Sequence, residues 1–254
     1  MDPRVRREDH DDWTTLWLNR PEKLNALTTE FFAELRSHVE ALQDDDSIRC
    51  VVLRGAGRCF SAGHDLNDIS AGESSPSAGW HSQTLRLLEK LPKPVIAAVH
   101  GHCYTGALEV ALACDFIVAA DNARFGDTHA KWALTPIWGL SQRLPRRVGA
   151  AAAKRLMFTC DMIDAAESVR IGLAEYAIPY GDFDQEITTL ATRIAANSPF
   201  SHRANKQLLE ATDAISIDAG LHWEVLENAG VGPDMQDRIA TFTARTKDTP
   251  TNAS

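Results

Sequence analysis

The sequence offers few of the features that announce a function at once. Its five cysteines, Cys50, Cys59, Cys103, Cys114 and Cys160, are odd in number and nowhere spaced as CxxC, which speaks against a disulfide framework or a zinc site. Reduced thiols and no bound metal are expected. No apolar run approaches the roughly 18 residues of a membrane span, and the first residues, MDPRVRREDHDDW, are too charged for a signal peptide. A soluble, cytoplasmic protein with no membrane partner is the expectation. Positive charge is also short, with 26 Lys and Arg against 35 Asp and Glu for a net charge of -9. That balance disfavours nucleic acid as a partner, since the best basic patch, Arg143, Arg146 and Arg147, is small. Neither GxxxxGK[ST] nor GxSxG occurs, so P-loop and nucleophile-elbow chemistry lack support. Gly55-Ala56-Gly57 follows a strand, but the third glycine of a dinucleotide fingerprint would fall at Phe60, where no helix opens.

What is present is a 254-residue chain, 44% hydrophobic, able to bury a sizeable core. Strand-like runs at Trp13 to Leu18, Ile48 to Leu53, Pro94 to Val99 and Phe116 to Ala120 alternate with helical patterns, which predicts an α/β fold. Phe31, Phe32, Leu35, Val39 and Leu42 share one helical face, and Leu85, Leu88 and Leu91 another. After Trp138 the pattern is helical, and three more helical segments follow Asn197. The expected division is a core over residues 1–196 and a helical extension over 197–254.

Two stretches draw the chemistry. HGHCYTGALEVALACD, His100 to Asp115, turns from the strand ending at Val99 into an apolar helix that carries Glu109. The residues alone leave two readings open, a partly exposed helix carboxylate or a buried acid/base whose pKa burial raises. Gly106 opens that helix, where backbone N–H groups have no partner within the helix and favour negative charge. The loop Ser61-Ala62-Gly63-His64-Asp65-Leu66 is either an ordinary turn or a second source of backbone donors. Two such donors aimed at one carbonyl oxygen would make an oxyanion hole.

NRPEKLNAL (19–27), FSAGHDL (60–66), KPVIAAVHGHCYTGALEVALACD (93–115) and ARFGDTHAKWALTPIWGLSQRL (123–144), in this order and spacing, resemble the enoyl-CoA hydratase/isomerase family, or crotonase superfamily. The resemblance implies a spiral of repeated ββα units, with C-terminal helices that build a homotrimer or, by pairing trimers, a hexamer. It implies an acyl-CoA thioester as substrate, with coenzyme A entering as part of that substrate and no separate cofactor. The thioester oxygen would be held by the N–H groups of His64 and Gly106, with the His64 side chain expected at the surface. Lys23, Leu24 and Ala26 match the segment lining adenine and pantetheine. Ala62, Asp65, Leu66 and Asn67 match the loop lining the acyl pocket, and Phe242 and Arg245 fall where a neighbouring subunit's last helix touches CoA.

Two departures stand out. Family hydratases use two glutamates; one matches Glu109, but the second position holds His129, either a base in its own right or a hydrogen-bonded packing residue. Where some branches place a catalytic aspartate this chain has Ile137, which cannot ionise and speaks against dehalogenase and dienoyl-isomerase chemistry. The neighbouring Trp138 is expected to shape the acyl pocket. Hydration of a 2-enoyl-CoA by Glu109 and His129 is the leading expectation. A crotonase-type hydrolase acting on a carbon–carbon bond or the thioester through His129, and a non-catalytic acyl-CoA binder, are the alternatives.

Overall fold

The computed structural model describes residues 2–72 and 75–247, with the main chain alone for 245–247. Its architecture grows from strands buried on both sides. β1 (Val5–Asp9), β2 (Trp13–Leu18), β3 (Cys50–Gly55), β4 (Val95–Val99), β6 (Phe116–Ala120) and β9 (Tyr176–Ile178) form one sheet in the order β1-β2-β3-β4-β6-β9. β1 pairs antiparallel with β2, and every other pairing in this sheet is parallel. The charged VRRED run gives no strand pattern in the sequence, yet it suits an edge, where charge discourages further pairing.

Side chains alternate between the two faces of this sheet, as a pleat requires. Val51, Leu53, Val95, Ala97, Val99, Ile117 and Ala119 join one apolar cluster; Cys50, Val52, Ile96, Ala98, Val118 and Ala120 join another. On the first side lie α1 (Thr29–Gln43), α3 (Trp80–Glu89) and α4 (Gly106–Leu112); on the second lies α8 (Phe183–Ala195) with Phe183, Ile187, Ala191 and Ala195. Helices on both faces explain why the strands read as unbroken apolar runs. Thr28 caps α1 by accepting the Phe31 N–H, which starts the helix where its apolar face begins.

A second layer of pairing makes the spiral. The chain leaves β2, bridges at Leu27 to His64 and enters α1; it leaves β3, bridges at Ser61 to Cys103 and enters the short α2 (Leu66–Ala71) and then α3. It leaves β4 for β5 (His102–Tyr104) and α4, and β6 for β7 (Arg124–Gly126), a 3-10 turn at His129–Trp132, and α5 (Leu140–Val148). β5 pairs with β7, and β7 with β8 (Ile163–Asp164). This is the repeated strand–strand–helix pattern of the expected fold. α6 (Ala150–Thr159) and α7 (Ala165–Arg170), the latter capped by Asp164, complete the layer before β9.

The chain divides into two compact units, one ending at Ala195 and the next beginning at Ala196. The second contains α9 (Pro199–Thr212), α10 (Ile217–Leu226) and α11 (Met235–Lys247), with an Arg238–Asp234 ion pair at the start of α11. Among the described residues no helix is long and apolar enough to cross a membrane.

Candidate active site

α4 is buried throughout, and Glu109 is its only ionisable residue, 1% exposed. Its Oε1 accepts the N–H groups of Trp138 at 2.9 Å and Leu140 at 3.0 Å. Gly139 between them has φ +116, a conformation suited to glycine, which lets both N–H groups turn onto one oxygen. Burial raises the Glu109 pKa to about 7, outweighing the opposing pull of the Leu140 N–H, His129 and the Trp138 N–H. Glu109 is therefore buried with a raised pKa rather than a partly exposed helix carboxylate.

His129 opens the 3-10 turn and is 8% exposed. Its Nδ1 lies 2.6 Å from Oδ1 of Asp127, and its Nε2 lies 4.0 Å from Oε2 of Glu109. The first is a strong hydrogen bond; the second is too long for one, and suits a small polar group lying between. Thr105 and Thr128 hold the elements bearing the two residues together, through a 2.6 Å hydroxyl contact and a Thr128 N–H donated to Thr105 Oγ1 at 3.0 Å. Thr105 has φ 53 and ψ -109, a rarely populated backbone region for a non-glycine residue, immediately before Gly106.

The backbone donors converge beside them. In the bridge to Leu27, the Leu27 N–H is donated to Gly63 and the Asp65 N–H to Leu27, so the peptide N–H of His64 faces the opposite side. A Cβ on Gly106 would lie 3.3 Å from the His64 nitrogen, and one on Gly63 would lie 3.5 Å from the Gly106 nitrogen. The two nitrogens are thus near neighbours, and the space beside them is closed to a side chain, since a Cβ on Gly63 would meet the Tyr104 carbonyl at 2.6 Å and one on Gly106 the Trp138 ring at 2.5 Å.

A cavity of about 600 Å³ opens over this group. Ala62, His64, Leu66, Gly106, Glu109, His129 and Trp138 line it together with Tyr104, Ile69, Trp132, Leu134 and Ile137. Lys23, Leu24, Ala26, Asp65 and Asn67 do not line it. The Leu24 carbonyl accepts the Ala62 N–H at 2.9 Å, so that segment braces the loop. Asp65 caps α2 and pairs with Arg20 at 2.7 Å. Phe242 is exposed on α11 in the other compact unit, and the Arg245 side chain lies outside the described residues.

The expectation for the His64 ring needs correction. It is half-buried and packs against Trp138 with centroids 4.7 Å apart, because Trp138 folds over Gly106 and offers an apolar face there. Trp138 is 2% exposed, stacked edge-on to Phe32, and its indole Nε1 is buried with no hydrogen-bond partner. The small basic patch is engaged in the fold: Arg143 binds Glu89 and the Trp138 carbonyl, and Arg147 binds Glu175. No residue pattern marks the Trp138 and Leu140 N–H groups as partners of Glu109, since a main-chain donor leaves no residue type to read.

A sequence model described as enoyl-CoA hydratase/isomerase matches residues 13–226. The crotonyl-CoA hydratase of Syntrophomonas wolfei is 34% identical over 221 residues, covering 85% of both chains. The short-chain-enoyl-CoA hydratase of Clostridium acetobutylicum is 34% identical over 82% of this chain and 81% of that one. Among solved structures, an enoyl-CoA hydratase from Bacillus anthracis superposes with a TM-score of 0.89 at 30% identity, covering 95% of this chain and 96% of that one.

Proposed function

Because the chain belongs to the enoyl-CoA hydratase/isomerase family, we propose that it is a hydratase-like lyase that adds water to a 2-enoyl-CoA and yields a 3-hydroxyacyl-CoA. One observation supports this most: Glu109 and His129 face each other across 4.0 Å in the cavity that the His64 and Gly106 backbones border.

The thioester oxygen accepts the His64 and Gly106 N–H groups. Water oxygen bonds to the β-carbon, its proton passes to one member of the Glu109–His129 pair, and the double-bond electrons move to the thioester oxygen as an enolate. The other member delivers a proton to the α-carbon. The pair ends the step with as many protons as it began, and the product carries the elements of water. A carboxyl with a pKa of about 7 takes up and releases a proton near neutrality, which general acid–base work requires. The reaction needs no resident cofactor or metal.

Ala62 and Leu66, on a loop that Asp65 and Asn67 continue, contact the acyl part together with Trp138; Lys23, Leu24 and Ala26 hold the CoA side; Phe242 meets the CoA of a neighbouring subunit. A homotrimer or hexamer is supported by the apolar side chains that the C-terminal helices leave exposed, among them Leu209, Ile217 and Val225. A cytoplasmic setting fits five buried cysteine thiols.

The test is loss of enoyl absorbance when the purified oligomer meets a short and a long 2-enoyl-CoA. No loss on either, with the thioester bound, overturns the reading in favour of a binder. The Asp127–His129 contact at 2.6 Å favours one second reading, hydrolysis by water activated at His129. Release of free thiol or carboxylate from a β-ketoacyl-CoA would establish it.

A further inference from the structure

Asp127 has a place in this site that its neighbours do not explain. It is 1% exposed, and its Oδ1 faces both the Nδ1 of His129 at 2.6 Å and the His129 backbone N–H at 3.2 Å. The second bond alone would be an ordinary turn contact, which serine or asparagine supplies as well. A buried carboxylate is a costly way to make a turn. Its use is to hold the ring.

We propose that Asp127 is a positioning residue that fixes His129 in one tautomer and one orientation, so that Nε2 is the nitrogen working opposite Glu109. This rests on the hydration reading above. An ionised carboxylate only accepts, so the Nδ1 beside it carries the proton and Nε2 keeps its lone pair for the reaction. When Nε2 takes a proton the ring becomes an imidazolium, and the buried negative charge 2.6 Å from Nδ1 stabilises it there. When Nε2 gives the proton up, Nδ1 retains its own. No bond other than N–H changes, and Asp127 keeps its charge through the cycle. Nε2 and Glu109 Oε2 stand 4.0 Å apart, so both working atoms reach one small group in the cavity.

A glutamate at position 129 would have no use for a buried carboxylate beside it, because like charges that close repel. Asp127 and His129 therefore act as a matched pair: the aspartate helps the histidine and harms a glutamate in its place.

Nitrogen NMR of the ring, assigned by the signal that His129→Gln removes, should show Nδ1–H and an unprotonated Nε2 at high pH. The opposite tautomer in the unaltered protein overturns the proposal, and this measurement needs neither a folded Asp127 variant nor turnover. Asp127→Asn keeps an oxygen for the turn but loses the negative charge beside the imidazolium, so a folded protein is expected, with kcat lowered about 100-fold and KM nearly unchanged. Unchanged kcat in a folded Asp127→Asn protein overturns the proposal as well. In a His129→Glu protein the same Asp127→Asn change should raise kcat, a reversal of sign that a purely structural aspartate would not give. If the unaltered protein hydrates no enoyl-CoA, the hydration reading fails and the ring tautomer still judges Asp127.

Discussion

The two oxygens of Glu109 are committed to different work, because Oε1 takes the Trp138 N–H at 2.9 Å while Oε2 faces His129 Nε2 at 4.0 Å. With one oxygen anchored by main chain, the carboxyl cannot rotate to exchange them without breaking two hydrogen bonds. The reactive edge of the residue is thus set by the Trp138–Leu140 segment rather than by α4 alone. Arg143, which binds the Trp138 carbonyl and Glu89, steadies that segment in turn.

Glu109→Gln keeps an acceptor for both backbone N–H groups and replaces the other carboxyl oxygen with an amide nitrogen that cannot serve as acid or base near neutrality. Hydration kcat should fall by about 10²- to 10⁴-fold, the usual contribution of a positioned acid or base, with KM changed little. Steady-state kinetics on a 2-enoyl-CoA measure it. A rise in KM at constant kcat would move Glu109 from the chemistry to binding.

The same substitution should alter stability with pH in a defined direction. The Glu109 pKa is raised from 4.5 to about 7 in the folded protein, so between those values the native state binds a proton that the unfolded chain does not. Stability contributed by that proton is complete below about pH 4.5 and is lost as pH rises to about 7, roughly 3 kcal/mol in all. Urea unfolding at a series of pH values should show Glu109→Gln gaining on the unaltered protein through this window and holding its lead above it. A lead that narrows with rising pH would reverse the sign and the argument.

Gly106→Ala probes the backbone donors. The new Cβ would lie 2.5 Å from Trp138 Cζ3, so the indole or the start of α4 must shift. Loss of one donor costs about 2.7 to 4 kcal/mol in the transition state, which sets the expected fall in kcat at about 10²- to 10³-fold. Circular dichroism should remain that of the folded protein. Combining it with Trp138→Leu, which removes the clashing atoms, should recover part of the loss.

The large sheet was legible because strands covered on both faces must be apolar throughout, as VIAAV at 95–99 is. β1 was not, since an edge strand can afford VRRED; nor was β5, whose three residues, HCY, are fixed by pairing with β7. Burial of Glu109 could be raised as a question from the apolar residues around it. The answer depended on Trp138 and Leu140, 29 and 31 residues away, offering main-chain groups that any sequence would possess. His64 misled for a related reason, because a loop histidine gives no hint that an indole will cover it.

Trp138 serves Glu109 through its peptide N–H and the cavity through its ring, so the two roles can be separated. Trp138→Leu leaves the N–H in place and removes the indole that lies over Gly106 and against His64. Emptying part of a site that is 2% exposed should cost about 2 to 4 kcal/mol of stability. Because the hydrogen bond to Glu109 survives, kcat on a short, unbranched 2-enoyl-CoA should stay within about tenfold, the effect of roughly 1.4 kcal/mol. The kcat/KM ratio for bulkier over shorter acyl groups should rise, since the ring no longer fills the space beside the thioester. Competing the two substrates in one reaction measures that ratio directly, and a ratio that does not change would remove Trp138 from the acyl pocket.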